Sequence, residues 1–286
     1  MPRLSDLKDE LGELQTLKFI SSAFTEAAAV KLKNLRSSFE RNRQFYDEIG
    51  QVYQLLKESA RYLNIKNKKL EAEGWKLEEK QKTLSIAVTS NLRFYGRLNL
   101  DTVDLFGKDT AQFATDRTVI GHTGIEYYTA ISGGTAFTPI QFGKDFPTSQ
   151  ETHHFLETIK GYTKVLLYYP KFLTFLSQTV GVVDITQTPA PTLVPVEQRV
   201  EYLFEPEFEK IIDFFELQVR ALLFRRAMLE AEVARTAARL LLMSSAEERS
   251  DDMIWDKKIQ IHKAFSSFMN AQLLETFAGR AQWRNK

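Results

Sequence analysis

The chain has 286 residues, of which 43% are hydrophobic and 26% charged, enough for one or two domains with a buried core. Its 38 Lys and Arg nearly balance 37 Asp and Glu, so a net charge of +1 gives no general attraction to nucleic acid or to an anionic membrane surface. Cysteine is absent, which excludes disulfides, thiolate zinc sites and cysteine nucleophiles together.

At the start, Leu4, Leu7 and Leu11 are separated by charged residues, unlike the apolar core of a signal peptide. No stretch approaches the roughly 18 apolar residues of a membrane span. The expectation is no direct span, with any membrane association made through a partner.

Nine of the 13 glycines lie between Gly96 and Gly181, and seven of the 8 prolines between Pro139 and Pro206. Both ends of the chain are therefore open to helix. The first helix is expected from about residue 3 to about residue 60. Leu4, Leu7, Leu11 and Leu14 follow the 3,4 spacing of a coiled-coil seam. The stripe then reads as shifting to Leu17, Ile20, Phe24 and Ala28, and continuing through Leu32, Leu35 and Phe39. The small residues Ala27, Ala28 and Ala29 would let a partner helix come close.

The middle carries strand runs at 84–89, 118–120, 164–169 and 180–186, with a helix at 150–160. Strand, helix, strand order predicts a small α/β domain with a mainly parallel sheet. Gly133-Gly134 reads as a turn.

From Glu207 to Ala278 no breaker occurs. If helical throughout, this segment is roughly 108 Å long, against about 50 Å for a compact chain of this size. A helix that long needs a packing partner, and the N-terminal helix supplies one, as an antiparallel coiled coil. Ile212, Phe215, Leu222 and Leu229 line one face early, and Ile254, Ile261, Phe265, Phe268 and Met269 later. The polar segment 244–252 reads as a solvated stretch or a kink. The boundaries expected are 1–62 for the N-terminal helix, 63–205 for a Rossmann-like α/β domain, and 206–286 for the long C-terminal helix.

Candidate chemistry is sparse. His153 and His154 are adjacent and cannot share a metal as an i, i+4 pair can, and His122 and His262 read as surface or packing residues. The segment 90–99 (SNLRFYGRLN) follows the first strand, where α/β sheets often bind ligands. A phosphate-binding turn needs several glycines, and only Gly96 is present. Arg93 and Arg97 offer positive charge there, although turn arginines are usually solvated. Some of the 21 phenylalanines sit on the terminal helices, beyond reach of a small domain core, and point to partner surfaces.

Two long terminal helices around a small α/β domain resemble the gamma subunit of F-type ATP synthases. Ile20-Ser21-Ser22-Ala23-Phe24, Ala27-Ala28-Ala29 and Lys31 match the family's Ile-Thr-Lys-Ala-Met, Val-Ala-Ala and Lys. Ser90-Asn91, Gly96 and Asn99 match its Ser-Asp, Gly and Asn. Tyr202-Leu203-Phe204-Glu205-Pro206 is similar to its Tyr-Leu-aromatic-Glu-Pro segment. Ala237-Ala238-Arg239, Met243 and Ala246 resemble its Ala-Ala-Arg and Met-Lys-x-Ala region, and Lys263-Ala264, Leu273, Glu275 and Gly279 complete the series.

The resemblance implies a rotor shaft with no active site and no cofactor or metal of its own. It implies three alpha and three beta subunits around the coiled coil, an epsilon subunit and a membrane c ring at the foot, and a peripheral position on the cytoplasmic face of the bacterial inner membrane. By resemblance, Ser21, Ser22, Phe24, Phe265, Ser266, Asn270, Gln272, Leu273, Leu274 and Phe277 would meet the alpha/beta hexamer, and Tyr202, Phe204 and Glu205 the c ring. The family's Arg-Gln and Gln-Glu pairs are Phe265-Ser266 and Ala271-Gln272 here, its Thr-Lys is Ser21-Ser22, and its Met is Phe24. The cysteine-bearing regulatory insertion of photosynthetic relatives is absent, so no thiol switch is expected. A coiled-coil scaffold or tether with an α/β head is the alternative, and a small-molecule enzyme on the α/β domain a third reading; a deep pocket after the first strand would support the enzyme.

Overall fold

Sixty-three residues with no proline form helix α1 (Leu4–Lys66), and 76 more form helix α5 (Phe208–Trp283). The computed structural model describes residues 4–66, 82–186 and 208–283. Between the helices come β1 (Thr83–Val88), α2 (Leu98–Thr110), β2 (Asp116–Ile120), α3 (His122–Ile131), β3 (Thr138–Ile140), α4 (Ser149–Ile159), β4 (Lys164–Phe172) and β5 (Gln178–Asp184). Contacts divide the chain into two units: an α/β body from Lys31 to Ala238, and a helix pair made of the residues up to Val30 with those from Arg239 onward.

In the body, the sheet order is β3-β2-β1-β4-β5. The first four strands are parallel, and β5 returns antiparallel to β4. At the centre, Ile86 of β1 aligns with Thr118 of β2 and Leu167 of β4. Alternate residues serve opposite faces. Leu84, Ile86, Val88, Val165, Leu167 and Tyr169 pack with Phe155, Leu156 and Ile159 of α4 and with Phe224, Ala227, Met228 and Ala231 of α5. Ala87, Val119 and Tyr168, on the other face, pack with Val103 and Phe106 of α2 and Tyr128 of α3. Because both faces are covered, β1 is buried along nearly its whole length and mostly apolar, as parallel strands usually are.

The strand runs and α4 fall where periodicity places them, and the Thr148–Glu151 capping box marks the start of α4. Helices α2 and α3 and strand β3 were not legible. Helix α2 contains Gly107 and several Asp and Thr residues of modest helix propensity, and burial of Val103 and Phe106 decides its state. Strand β3 has three residues including Pro139, which is tolerated because the strand lies at the sheet edge. Gly133 and Gly134 both have positive φ and form the expected turn. The polar segment 244–252 is continuous helix, with Ser250 buried and its hydroxyl donating to the Ala246 carbonyl at 2.7 Å.

Candidate partner-binding surfaces

In the helix-pair unit, Lys18 pairs with Asp251 at 2.6 Å and Glu10 pairs with Lys257. As the α1 number rises the α5 number falls, so the helices run antiparallel. The covered stripe of α1 keeps strict 3,4 spacing through Leu4, Leu7, Leu11, Leu14, Lys18, Ser21, Thr25 and Ala28. Apart from Ser22, all other residues between Ser5 and Val30 are exposed. The expected shift of the seam to Leu17, Ile20 and Phe24 is therefore corrected. These side chains are 49%, 46% and 37% exposed, whereas Ser21 is 3%.

Short hydroxyl side chains tolerate the seam because their own helix satisfies them. Thr25 donates to the Ser21 carbonyl at 2.9 Å, and Lys18 leaves the seam to reach Asp251. The apolar residues displaced outward form a surface, and the Arg239 guanidinium lies 5.9 Å over the Phe24 ring. Of the α1 residues implied for the hexamer, Phe24 is on the open face, Ser22 is half-buried and Ser21 faces inward.

The ion pairs bring Leu4 level with about residue 264 of α5, at the one-to-one antiparallel offset. Every residue from Phe265 to Ala278 is exposed. Phe265, Phe268, Met269, Leu273, Leu274 and Phe277 are 41–69% exposed, and Glu275 is the one ionisable side chain between Ala264 and Phe277. At 100° per residue these six spread over roughly 240° of the helix circumference. An apolar arc this wide is more than one flanking helix can cover. Ser266, Asn270 and Gln272 are on the same exposed segment. Tyr202, Phe204 and Glu205 lie outside the described residues, as does the side chain of Phe215.

The turn after β1 is closed by the chain itself. The Asn91 backbone N–H donates to Asp145 Oδ1 at 2.7 Å, and the Asn91 amide donates to the Phe142 carbonyl at 2.8 Å. Asn91 Oδ1 accepts the His122 N–H at 3.1 Å, and Tyr95 donates to Asp145 at 3.1 Å. Asn99 donates to the hydroxyls of Ser90 at 2.7 Å and Thr123 at 3.1 Å. Asn91 and Asp145 thus occupy the donors an incoming phosphate would use. Arg93 is matched by Glu126 at 3.1 Å, and Arg97 by Asp101 at 3.5 Å. What remains is an open depression of about 380 Å³ lined by Arg93, Phe94, Asn99 and Glu126. His153, His154 and His262 are exposed, and His122 lies 3.5 Å from Glu126. Among the described residues, no three His, Asp or Glu side chains gather as a metal site would require, and no helix is long and apolar enough to cross a membrane.

Burial acts on the tyrosines. Desolvation, with Asp109 nearby, pushes the Tyr168 phenol up to about 12. Desolvation, followed by the Glu230 carboxylate, raises that of Tyr169 further. Both phenols stay neutral and act as packing and hydrogen-bonding groups.

The ATP synthase family model matches residues 3–281. The chain is 22% identical to the ATP synthase gamma chain of Geotalea daltonii over 98% of both chains. It is 23% identical to that of Desulforamulus reducens, over 98% of this chain and 99% of the relative. In fold it is similar to a central stalk chain of the Tetrahymena thermophila mitochondrial ATP synthase, with a TM-score of 0.60, 20% identity, and coverage of 79% of this chain and 99% of that one. A chain of the Euglena gracilis mitochondrial enzyme gives a TM-score of 0.56 at 12% identity, covering 88% and 94%. With a family model spanning nearly its whole length and gamma chains as its full-length relatives, the chain belongs to the ATP synthase family, among the gamma chains.

Proposed function

We propose that this chain is the central rotor shaft of an F-type ATP synthase, a non-catalytic subunit coupling rotation of a membrane c ring to the conformational cycle of an alpha/beta hexamer. The observation that carries the reading is the exposed end of α5. Six large apolar side chains spread over roughly 240° call for a partner that encircles the helix, as a ring of subunits does. Apolar contact suits a turning helix because it is non-directional. The hexamer would meet the exposed α1 face at Leu17, Ile20 and Phe24 and the α5 end at Phe265, Ser266, Asn270, Gln272, Leu273, Leu274 and Phe277. Rotation of an asymmetric shaft presents unequal contacts to three equivalent partners and shifts the conformational population of each.

Tyr202, Phe204 and Glu205 are assigned to the c ring and the α/β body to the epsilon subunit, on the family resemblance. The chain would then hold to the membrane through its partners, on the cytoplasmic face of the bacterial inner membrane.

The test is native mass spectrometry of the complex purified from its host through a tag in the body near Gly107. The expected result is one copy of this chain with three copies each of two ATPase-sized subunits. A monomer or homodimer after gentle extraction would leave the scaffold reading ahead.

A further inference from the structure

Within six residues, α5 carries three polar side chains whose partners come from three different elements of the body. The Glu230 carboxylate accepts the Tyr169 phenol of β4 at 3.0 Å. The Glu232 carboxylate pairs with Lys31 of α1 at 2.8 Å. Arg235 is 1% exposed, and its Nη1 faces the Thr89 carbonyl, at the end of β1, 3.5 Å away. At 100° per residue, Glu232 and Arg235 project roughly 200° and 140° round the axis from Glu230. The helix is therefore held from opposing sides.

Apolar packing alone does not achieve this. Phe224, Ala227, Met228 and Ala231 bury α5 against the sheet and α4, but apolar burial has no preferred direction, and the two alanines nearest the cluster raise no ridge against rolling. A buried guanidinium is different, because it is tolerated only with partners in fixed directions. The group that Arg235 faces is itself fixed. The Thr89 N–H donates to the Ile120 carbonyl at 2.8 Å, and its hydroxyl donates to the same oxygen at 2.6 Å. That hydroxyl also accepts the Gly124 N–H at 3.1 Å. Arg235 thus reaches a node that ties β1 to β2 and to the start of α3.

We propose that Glu230, Glu232 and Arg235 form a torsional clamp by which the α/β body grips α5 against rotation about its own axis, with Arg235 as its positioning residue. The proposal rests on the rotor reading, since torque entering through the body is lost as twist if the helix rolls in its seat. The cluster ends three residues before Ala238, the last residue of the body unit.

The experiment uses the assembled complex with a bead on a cysteine at exposed Lys108 of α2 (Lys108→Cys). Turnover is halted with a non-hydrolysable nucleotide, and the angular variance of the bead is recorded. Arg235→Met and Tyr169→Phe are each expected to raise the variance by up to about 1.5-fold, as for losing one of three comparable restraints, and Arg235→Lys by less. A merely structural role would lower thermal stability and leave the variance unmoved. Unchanged variance in both Arg235→Met and Tyr169→Phe overturns the clamp. If Arg235→Met does not assemble, Tyr169→Phe and Glu232→Gln decide by the same readout. Absence of ATP-driven rotation in the complex carrying only the bead site would instead sink the rotor reading.

Discussion

Met253 and Ile254 are neighbours on α5, the first 53% exposed and the second 8%. Replacing each by alanine removes a similar amount of apolar side chain from the same stretch of helix, so only the facing differs. A buried Ile→Ala change costs about 2–5 kcal/mol. A two-helix seam collapses partly around the gap, so about 3 kcal/mol is expected for Ile254→Ala. The Met253→Ala change should stay within about 0.5 kcal/mol, since alanine is also the better helix former. Hydrogen exchange of the amides from 247 to 261 in the purified chain reads local opening directly. At 1.4 kcal/mol per tenfold, Ile254→Ala should speed exchange roughly 100-fold and Met253→Ala no more than about threefold. Leu17→Ser and Ile20→Ser should likewise leave seam exchange within about threefold while lowering retention of the hexamer. Equal acceleration by Met253→Ala and Ile254→Ala would refute the assignment of the seam.

A Cβ at Gly124 would lie 2.4 Å from the Thr89 hydroxyl and 2.6 Å from its methyl. Gly124→Ala should therefore cost about 3 kcal/mol by overpacking and hydrogen-bond loss, and Thr89→Ala in the same chain should recover part of it; simple additivity in urea unfolding would contradict the close approach. Because burial pushes the Tyr168 phenol up to about 12 from an ordinary 10.0, its contribution to stability is complete below pH 10 and lost as pH rises toward 12. Alkaline unfolding should accordingly be shallower above pH 10 for Tyr168→Phe than for the parent, and identical slopes would count against the burial argument. Removing the residues after Phe268 should weaken assembly and coupling while the body still folds; normal ATP-driven pumping by that truncation would argue against an encircled end. Cysteines at Tyr202 or Glu205 should cross-link to the c ring, and failure with several partner positions would reject that assignment.

Much of the architecture was legible in the chain because its signals are local. The absence of Pro and Gly from Glu207 to Ala278 is enough to predict one long helix, and the mostly apolar run Leu84–Val88 is enough to predict a buried strand. The inward face of α1 was not decidable this way. Leu17-Ile20-Phe24 and Lys18-Ser21-Thr25 are the same 3,4 pattern offset by one residue, and hydrophobicity favours the first. Only the helix opposite, with Asp251 placed to meet Lys18 and the small buried Ser250 beside it, selects the second. The turn after β1 depends in the same way on Asp145 and Phe142, over 50 residues further along the chain. Arg235 reads as one more charge on a charged helix until the fold brings Thr89 beside it. Local periodicity states which residues share a helical face; what covers that face is a non-local energy, settled only when distant segments pack.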